Sequence, residues 1–369
     1  MPDSAVTRMM AAAPLADEID LSVGQPDQEV APEIRQAGIA AIAEGRTGYT
    51  PKLGLAELRT LMAEDIGTAT GHRPSPEDVV ITIGGTGAVA VTLAAVCSRD
   101  RPLLAPDPAW PNYRVLAASL GIPVLTYRQG PGGADFLDLE EIDRGLTAGA
   151  RLVVVNSPAN PTGAVASPDL LAALVDLVRS HGAAILSDEA YEAVVFGGGR
   201  APSPLTTGPD VTFACRTFSK SHAMTGWRVG ALIAPPAFRT PVAALHGTTA
   251  GCAPAIAQHA AIAALDGRGP TPTHHSTTYA ERYALARHIL GDLIPPLTPG
   301  QLGGFYAWVN ASTTGLTGLQ LTDHLRQHKI LVSAGEVYST TTPGHFRISL
   351  TQPPDILTSA LQTIRRAIP

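Results

Sequence analysis

Lysine is scarce in this sequence, which limits where amine chemistry can occur. The chain has 369 residues and 26 basic residues, of which only Lys52, Lys220 and Lys329 are lysines. Arginine stays protonated at ordinary pH and cannot form a Schiff base with an aldehyde, whereas a shielded lysine can. A covalent bond between this protein and an aldehyde ligand therefore has three candidate positions.

Other absences exclude several classes of protein. Charged residues make up 16% of the chain and the formal net charge is −6, which argues against a nucleic-acid-binding surface. No apolar run approaches the roughly 20 residues needed to cross a bilayer, and Asp17 and Glu18 follow the N-terminal apolar patch too soon for a signal peptide. Cys97, Cys215 and Cys252 are too widely spaced for a zinc site or a disulfide framework. We therefore expect a cytoplasmic protein with no metal, nucleic-acid or membrane partner.

The first 250 residues alternate short apolar runs with helix-like stretches, which predicts an α/β domain with a mostly parallel sheet. The runs are Val79–Ile83, Pro102–Ala105, Pro123–Thr126, Leu152–Asn156, Ala183–Ser187, Val211–Cys215 and Val229–Ala234. Ser167 and Pro168 predict the start of a helix that ends before Gly182. Only 13 residues, 216–228, join the last two runs, which favours an antiparallel final strand.

The remainder of the chain has a different order of elements. Helical stretches at Ala255–Leu265 and Tyr279–Leu290 precede predicted strands at Gly303–Val309 and Phe346–Leu350. This order predicts an α+β second domain. The polar stretch Gly267–Thr278 between the helices predicts an exposed loop.

Residues suited to ligand binding follow the predicted strands, where α/β sheets bind their ligands. These segments are Gly84–Gly87, Asp107–Trp110, Asn156–Gly163, Asp188–Tyr191 and Thr217–Lys220. They supply a phosphate-binding turn, an aromatic ring, an amide, a carboxylate with a phenol, and an amine. A phosphorylated aromatic aldehyde with a ring nitrogen is the kind of ligand that uses all of them.

These residues resemble the motifs of the fold-type-I, class I/II aminotransferases, which depend on pyridoxal 5'-phosphate (PLP). The resemblance covers nearly the whole chain, and Gly84–Thr86 with Trp110 is similar to the bacterial aspartate aminotransferase branch. Six blocks occur in the family's order: Tyr49–Gly54 with Leu58 and Arg59, Asn156–Gly163, Ser187–Tyr191, Thr217–Lys220 through Gly226–Gly230, Gly303–Tyr306 and Phe346–Ser349. One such block is moderate evidence, but six in order are specific.

The resemblance implies a fold and an assembly. The large PLP-binding domain is expected to contain a mostly parallel seven-stranded sheet, and a smaller α+β domain is expected to be built from both chain ends. The implied limits are 1–45 for an N-terminal arm and part of the small domain, 46–250 for the large domain, and 251–369 for the C-terminal small domain. A homodimer with shared active sites is also implied.

The resemblance further implies roles for the residues around the cofactor. Lys220 is expected to form the Schiff base and to move the proton, while Asp188 holds the ring N–H. Tyr191 and Asn160 are expected to bond the ring oxygen. The other implied cofactor contacts are Trp110 on the ring and, around the phosphate, Gly85, Thr86, Thr217, Ser219, Arg228 and Tyr49 of a second subunit.

For the substrate, the resemblance implies that Arg347 clamps the α-carboxylate in a two-point contact, with Asn160 and the Gly24 backbone nearby. The implied reaction moves an amino group from an L-amino acid to a 2-oxo acid by a ping-pong mechanism through pyridoxamine phosphate, within amino acid metabolism and biosynthesis. Residues 246–252 contain no arginine, although relatives that use dicarboxylates often place one there. This absence disfavours strict specificity for aspartate.

Two alternatives remain at this point. Relatives on the same fold decarboxylate, eliminate, cyclise or oxidise amino acids, and the pocket side chains that choose among these reactions cannot be located in the sequence. The more distant alternative is an NAD(P)-binding oxidoreductase, because Gly85–Ala90 matches Gly-x-Gly-x-x-Ala and Asp107 lies 20 residues past Gly87. That alternative leaves the amine of Lys220 and the carboxylate of Asp188 without a function.

Overall fold

The structure is a computed structural model that describes residues 14–15, 17–130, 132–267, 273–296 and 298–368. The strands are β1 (Ile19–Asp20), β2 (Val79–Thr82), β3 (Leu103–Asp107), β4 (Val124–Arg128), β5 (Leu152–Asn156), β6 (Ala184–Asp188), β7 (Thr212–Thr217), β8 (Gly230–Ile233), β9 (Tyr306–Asn310), β10 (Ile330–Leu331), β11 (Ser333–Ala334) and β12 (His345–Ser349). The helices are α1 (Pro32–Ala43), α2 (Ala56–Thr70), α3 (Gly84–Val96), α4 (Asn112–Ser119), α5 (Leu139–Thr147), α6 (Pro168–Ser180), α7 (Phe218–Ser221), α8 (Arg239–Thr249), α9 (Ala255–Leu265), α10 (Ser276–Leu290), α11 (Gly318–Gln327) and α12 (Pro354–Ala367).

Seven strands form the central sheet in the order β2-β8-β7-β6-β5-β3-β4. Strand β8 runs antiparallel to both of its neighbours, and the other neighbouring strands are parallel. The short connection from β7 to β8 contains the four-residue helix α7 but no crossover helix, so the chain turns back beside β7. Both the mostly parallel sheet and the antiparallel final strand are confirmed.

The apolar runs became strands because both faces of the sheet are covered. Along β5, Leu152 and Val154 pack into one buried cluster that includes residues of α3. Val153 and Val155, which point to the opposite face, pack with residues of α5 and α6. Strands buried on both faces are continuous apolar runs without a polar alternation, and this is what the sequence contains.

The smaller α+β unit contains residues from both ends of the chain, as predicted. Strands β11, β12 and β9 form an antiparallel sheet, and Ile19 of β1 pairs in parallel with Ile330 of β10. Leu21 packs into the same buried cluster as Phe346 and Ile364. The residue limits given above for the domains stay a prediction.

Most predicted boundaries differ from the structure by one or two residues, and two larger differences have a cause in the structure. Helix α10 begins at Ser276, inside the predicted loop Gly267–Thr278, where the buried Ser276 hydroxyl donates to the Ala193 carbonyl. Residues 268–272 of that loop lie outside the described residues. Strand β9 begins at Tyr306 rather than Gly303, because Gly304 has a φ of 72° and turns the chain before the strand. Among the described helices, none is long and apolar enough to cross a membrane.

Candidate active site

A cavity of about 480 Å³ lies at the carboxyl ends of the central strands. Strand β6 ends at Asp188, β5 ends at Asn156, and β7 leads through Thr217 into the helix that carries Lys220. The predicted site residues that line this cavity are Gly24, Gly85, Thr86, Trp110, Asn160, Asp188, Tyr191, Thr217, Ser219, Lys220, Arg228 and Arg347. The structure therefore brings together every predicted site residue except Tyr49.

Asp188 is a buried carboxylate at the end of β6. Its Oδ2 accepts a hydrogen bond of 2.5 Å from the Tyr113 hydroxyl, and its Oδ1 accepts one of 3.2 Å from the Ala190 N–H. Burial raises the pKa of Asp188 to about 6, although the Tyr113 hydrogen bond opposes this shift. A cationic N–H in the cavity would stabilise the ionised carboxylate, since an opposite charge lowers the pKa of a buried acid.

Lys220 lies on α7, directly after β7, with its amine in the cavity. The Nζ atom donates a 2.5 Å hydrogen bond to the Gly24 carbonyl. Burial lowers the pKa of Lys220, and the positive charges of Arg347 and Arg228 act in the same direction. A lysine whose pKa is lowered in this way is a neutral nucleophile for a larger fraction of the time.

The first turn of α3 forms one wall of the cavity together with Arg228. Gly84 has a φ of 62°, and a Cβ atom on it would lie 2.8 Å from Nη2 of Arg228. On the same side, the Thr217 hydroxyl donates to the Ser219 hydroxyl at 3.0 Å. A helix N-terminus, a guanidinium and hydroxyl groups that converge on one point are typical of a phosphate site.

Arg347 lies at the other end of the cavity, on β12. Its Nη1 donates to Oδ1 of Asn160 at 2.8 Å, and its Nη2 donates to the Ser22 carbonyl. The guanidinium carbon is 4.0 Å from the ring centroid of Tyr306 and 4.9 Å from that of Tyr338. Contacts with two aromatic rings restrict the orientation of a guanidinium that can bind a carboxylate through two N–H groups.

Comparisons with known proteins identify the family of this chain. The family model described as aminotransferase class I and II matches residues 16–364. The chain belongs to the class I and II aminotransferases. This aminotransferase is 31% identical to a valine–pyruvate aminotransferase of Mycobacterium tuberculosis, over 96% of this chain and 92% of the relative. It is 28% identical to an aspartate aminotransferase of Pyrococcus horikoshii, over 97% of this chain and 92% of the relative.

Solved structures give the same result. The aspartate aminotransferase from Thermus thermophilus with maleate superposes with a TM-score of 0.89 at 27% identity, over 100% of this chain and 97% of the other. An aminotransferase from Mycobacterium tuberculosis superposes with a TM-score of 0.86 at 30% identity, again over 100% and 97%. The protein is therefore a PLP-dependent enzyme that transfers amino groups between amino acids and 2-oxo acids, and the predicted family and fold are confirmed.

The residues around the cavity of this aminotransferase fit PLP. The turn at Gly84 and Gly85 can approach a phosphate closely because it carries no side chains, and a Cβ atom on Gly85 would lie 3.2 Å from Sγ of Cys215. Asp188 supplies a carboxylate and Lys220 an amine, as the ring nitrogen and the aldehyde of PLP require. The dinucleotide alternative is wrong, because the family match covers the segment on which it depended.

Three residues of the aminotransferase site were missed by sequence reasoning. Tyr113 contacts Asp188 from the first turn of α4, and its only signal in the sequence is its position three residues after Trp110. Tyr306 is the last residue of the motif Gly303–Tyr306, but the resemblance implied no role for Tyr306. Its hydroxyl lies 3.0 Å from that of Tyr191. Tyr338 follows no motif and reaches the cavity only through the fold.

Tyr49 lies outside the cavity of its own chain. Its side chain is 99% exposed, in the loop before α2. A contact with a phosphate in this same chain is therefore not formed. The predicted role requires the cavity of a second subunit.

Proposed function

We propose that this aminotransferase holds PLP through Lys220 and Asp188 and binds the α-carboxylate of both substrates through Arg347. The observation that carries the proposal is that these three side chains, from β6, α7 and β12, line one cavity. Asn160, which bonds Nη1 of Arg347 at 2.8 Å, lies between the proposed cofactor contacts and the substrate contacts. Amino donor and 2-oxo acid share an α-carboxylate, so one arginine serves both stages of the transfer.

The reaction depends on a change in charge at the α-carbon of the substrate. PLP, when bound, supplies an electron-withdrawing ring that stabilises negative charge at that carbon. Asp188 would keep the ring nitrogen of PLP protonated, because a cationic N–H beside a buried carboxylate offsets the burial that raises the pKa of that carboxylate and favours its ionised form. The Nζ atom of Lys220, with its lowered pKa, takes the proton from the α-carbon of the substrate and would deliver it to the former aldehyde carbon of PLP.

The remaining cofactor contacts that we propose are those implied by the resemblance, and their side chains line the cavity. Trp110 would stack on the ring, while the amide of Asn160 and the hydroxyl of Tyr191 would bond the ring oxygen. The phosphate contacts that we propose are Gly85, Thr86, Thr217, Ser219 and Arg228. The Gly24 backbone borders the substrate, and a Cβ atom there would lie 1.7 Å from the Tyr306 hydroxyl oxygen, so a side chain would displace Tyr306.

We propose a neutral or mixed amino donor rather than strict use of aspartate. Among the described residues of this chain, the charged side chains that line the cavity are Asp188, Lys220, Arg228 and Arg347. The first three are assigned to the cofactor, which leaves one cation for one substrate carboxylate. The neutral residues Val23, Trp110 and Tyr338 line the same cavity. A second carboxylate on the substrate would therefore enter the cavity without a matching cation from this chain.

A panel of donors tests the reaction and its specificity together. The measurement is kcat/KM for aspartate, alanine, phenylalanine and arginine with 2-oxoglutarate as acceptor, and the amounts of 2-oxo acid, glutamate and ammonia formed. We expect one glutamate for each donor consumed and no large preference for aspartate. Release of ammonia or carbon dioxide without glutamate would favour the non-transaminating alternative. A preference for aspartate above about a hundredfold, the scale of a lost two-point contact, would refute the neutral pocket.

We also propose a homodimer in the cytoplasm, in which Tyr49 of each subunit reaches the phosphate of the other. The exposure of Tyr49 supports this assembly. Mixing inactive Tyr49→Ala and Lys220→Ala proteins tests it, because a mixed dimer has one site with both defects and one with neither. Activity should return after subunit exchange. Complete exchange without recovered activity would exclude the shared site.

A further inference from the structure

Asp107 is a buried carboxylate near the cavity to which the proposed mechanism gives no function. It ends β3, is 4% exposed, and was the acidic residue of the rejected dinucleotide motif. Removing a carboxylate from water is costly unless hydrogen bonds replace its hydration. The position of those hydrogen bonds therefore indicates what the carboxylate holds in place.

The donors to Asp107 come from one segment, Ser339–Thr341, which lies 232 positions or more further along the chain. Oδ1 accepts from the hydroxyls of Ser339 and, at 3.3 Å, Thr341. Oδ2 accepts from the Thr340 N–H at 3.2 Å and from its hydroxyl at 3.0 Å. The cation that accompanies them, Arg114, is 4.0 Å away. The carboxylate is thus held mainly by hydroxyl and amide donors of a single loop.

That loop begins at Tyr338, whose ring lies against the guanidinium of Arg347. The Tyr338 side chain is 1% exposed, and its ring centroid is 4.9 Å from the guanidinium carbon. Its carbonyl accepts from the Ala109 N–H at 2.9 Å, two residues after Asp107. The carbonyl of Val337 accepts from Nη2 of Arg114 at 3.2 Å. Bonds to the end of β3 and to α4 therefore hold the loop both before and after the Tyr338 ring.

We infer that Asp107 is a positioning residue for the substrate carboxylate: by fixing Ser339–Thr341 to the end of β3, it holds the Tyr338 ring against Arg347. This inference rests on the proposed role of Arg347. A two-point contact between a guanidinium and a carboxylate is sensitive to orientation, and displacement of one aromatic wall gives the guanidinium more freedom. Asp107 itself does not line the cavity.

The test measures carboxylate binding separately from cofactor binding. Asp107→Ala and Asp107→Asn are purified with PLP and titrated with 3-phenylpropionate, an unreactive carboxylate, by the change in cofactor absorbance. We expect Asp107→Ala to weaken 3-phenylpropionate binding roughly tenfold to a hundredfold, the scale of a misplaced binding group. KM for donor and acceptor should rise by a similar factor, while kcat and the dissociation constant of PLP change little.

The Asp107→Asn variant should weaken carboxylate binding less than Asp107→Ala does. Its amide oxygen can accept from the Thr340 N–H, and its amide nitrogen can donate to the Ser339 hydroxyl. We therefore expect Asp107→Asn to restore most of the carboxylate affinity that Asp107→Ala loses. If Asp107→Ala does not fold, Ser339→Ala and Thr340→Val remove the donors singly and should each raise KM for both substrates. Unchanged KM in both of these variants would overturn the inference.

Asp78→Ala is the matched control for general loss of stability. Asp78 is also a buried aspartate, 7% exposed, but it bonds Arg239 at the opposite edge of the sheet. The Asp78→Ala substitution should lower the melting temperature without changing the affinity for 3-phenylpropionate. Equal loss of affinity in Asp78→Ala and Asp107→Ala would overturn the positioning role, and so would normal affinity in a folded Asp107→Ala protein.

Arg347→Met separates failure of this inference from failure of the proposed function. If Arg347→Met binds 3-phenylpropionate as tightly as the unaltered protein, the role of Arg347 is wrong. If Arg347→Met weakens binding and Asp107→Ala does not, only the inference about Asp107 fails. Because Asp107 is inferred to act through Arg347, its removal should have little further effect in the Arg347→Met background. Additive losses in the double variant would contradict that order of action.

Discussion

The two ends of the cavity are built in different ways. At the cofactor end, Asp188 ends β6 and Lys220 follows β7 by three residues, so a neighbouring pair of strands positions both. At the substrate end, Arg347 meets Ser22 from the beginning of the chain and the ring of Tyr338 from a separate loop. The difference teaches that cofactor chemistry is fixed by the sheet, whereas carboxylate binding depends on the meeting of segments with no local relation.

Replacing Lys220 should reduce turnover more than the other substitutions described below, and it tests the cofactor end of the cavity. We expect Lys220→Ala to reduce turnover on the order of 10⁴-fold or more, because covalent attachment and proton transfer are both lost. Borohydride reduction of the unaltered protein should fix a pyridoxyl group on Lys220 alone, as read by peptide mapping. Lys52→Ala and Lys329→Ala are the controls and should keep near-normal activity. A pyridoxyl group on either of those lysines would contradict the assignment.

Asp188→Ala should have the next largest effect. Loss of the anion beside the ring nitrogen should reduce kcat by about 10³-fold or more while some PLP remains bound. The measurement is kcat at saturating PLP, with cofactor content determined by absorbance. Near-normal turnover would mean that the carboxylate has been placed wrongly, and the cofactor end would then not be defined by the ends of β6 and β7.

Arg347→Met tests the substrate end by the same logic. We expect kcat/KM for donor and acceptor to fall tens- to thousands-fold, since a buried two-point contact with a carboxylate is lost. The dissociation constant of PLP should stay close to normal, in contrast to Asp188→Ala. Arg347→Lys should recover only part of the loss, because an ammonium cannot reproduce the planar fork. Equal losses of PLP and substrate affinity would break the distinction between the two ends.

The free energy of unfolding of the cofactor-free protein should depend on pH because the carboxyl group of Asp188 is buried. The pKa of Asp188 rises from 3.8 to about 6 in the fold, so the native state holds this proton more tightly than the unfolded chain. Its contribution to stability is complete below pH 4 and is lost as pH rises through 6, on the order of 3 kcal/mol. Asp188→Asn should remove this dependence and make the cofactor-free protein more stable at pH 8, as measured by urea unfolding. An unchanged pH profile would show that Asp188 is not the group responsible.

Tyr113→Phe should have the smallest effect and is confined to the cofactor end. The variant removes the hydroxyl that orients Asp188 and favours its ionised form, which should weaken PLP binding about tenfold. Tyr127→Phe is the matched control, because Tyr127 is equally buried and donates to the Val154 carbonyl at 2.7 Å. Both variants should lose similar thermal stability, but only Tyr113→Phe should lose PLP affinity. Equal PLP affinity in the two variants would leave Tyr113 a packing residue.

The strands and the cofactor end of the cavity could be predicted because their signals are local. A strand buried on both faces must be a short apolar run, and the residue that follows it must lie at the sheet edge. Asp188 and Lys220 each follow a predicted strand in this way, and both line the cavity. The antiparallel direction of β8 was also predictable, since the 13 residues that precede it are too few for a crossover helix.

The sequence alone determined the family, the cofactor and the mostly parallel sheet, because motifs and short apolar runs are properties of neighbouring residues. Only the tertiary structure decided that Tyr113 bonds Asp188, 75 positions away, and that Asp107 holds the loop after Tyr338. These pairs depend on how helices and loops pack around the sheet, and no spacing along the chain encodes that packing. The exposed side chain of Tyr49 is a further case, since a subunit by itself gives it no site to contact.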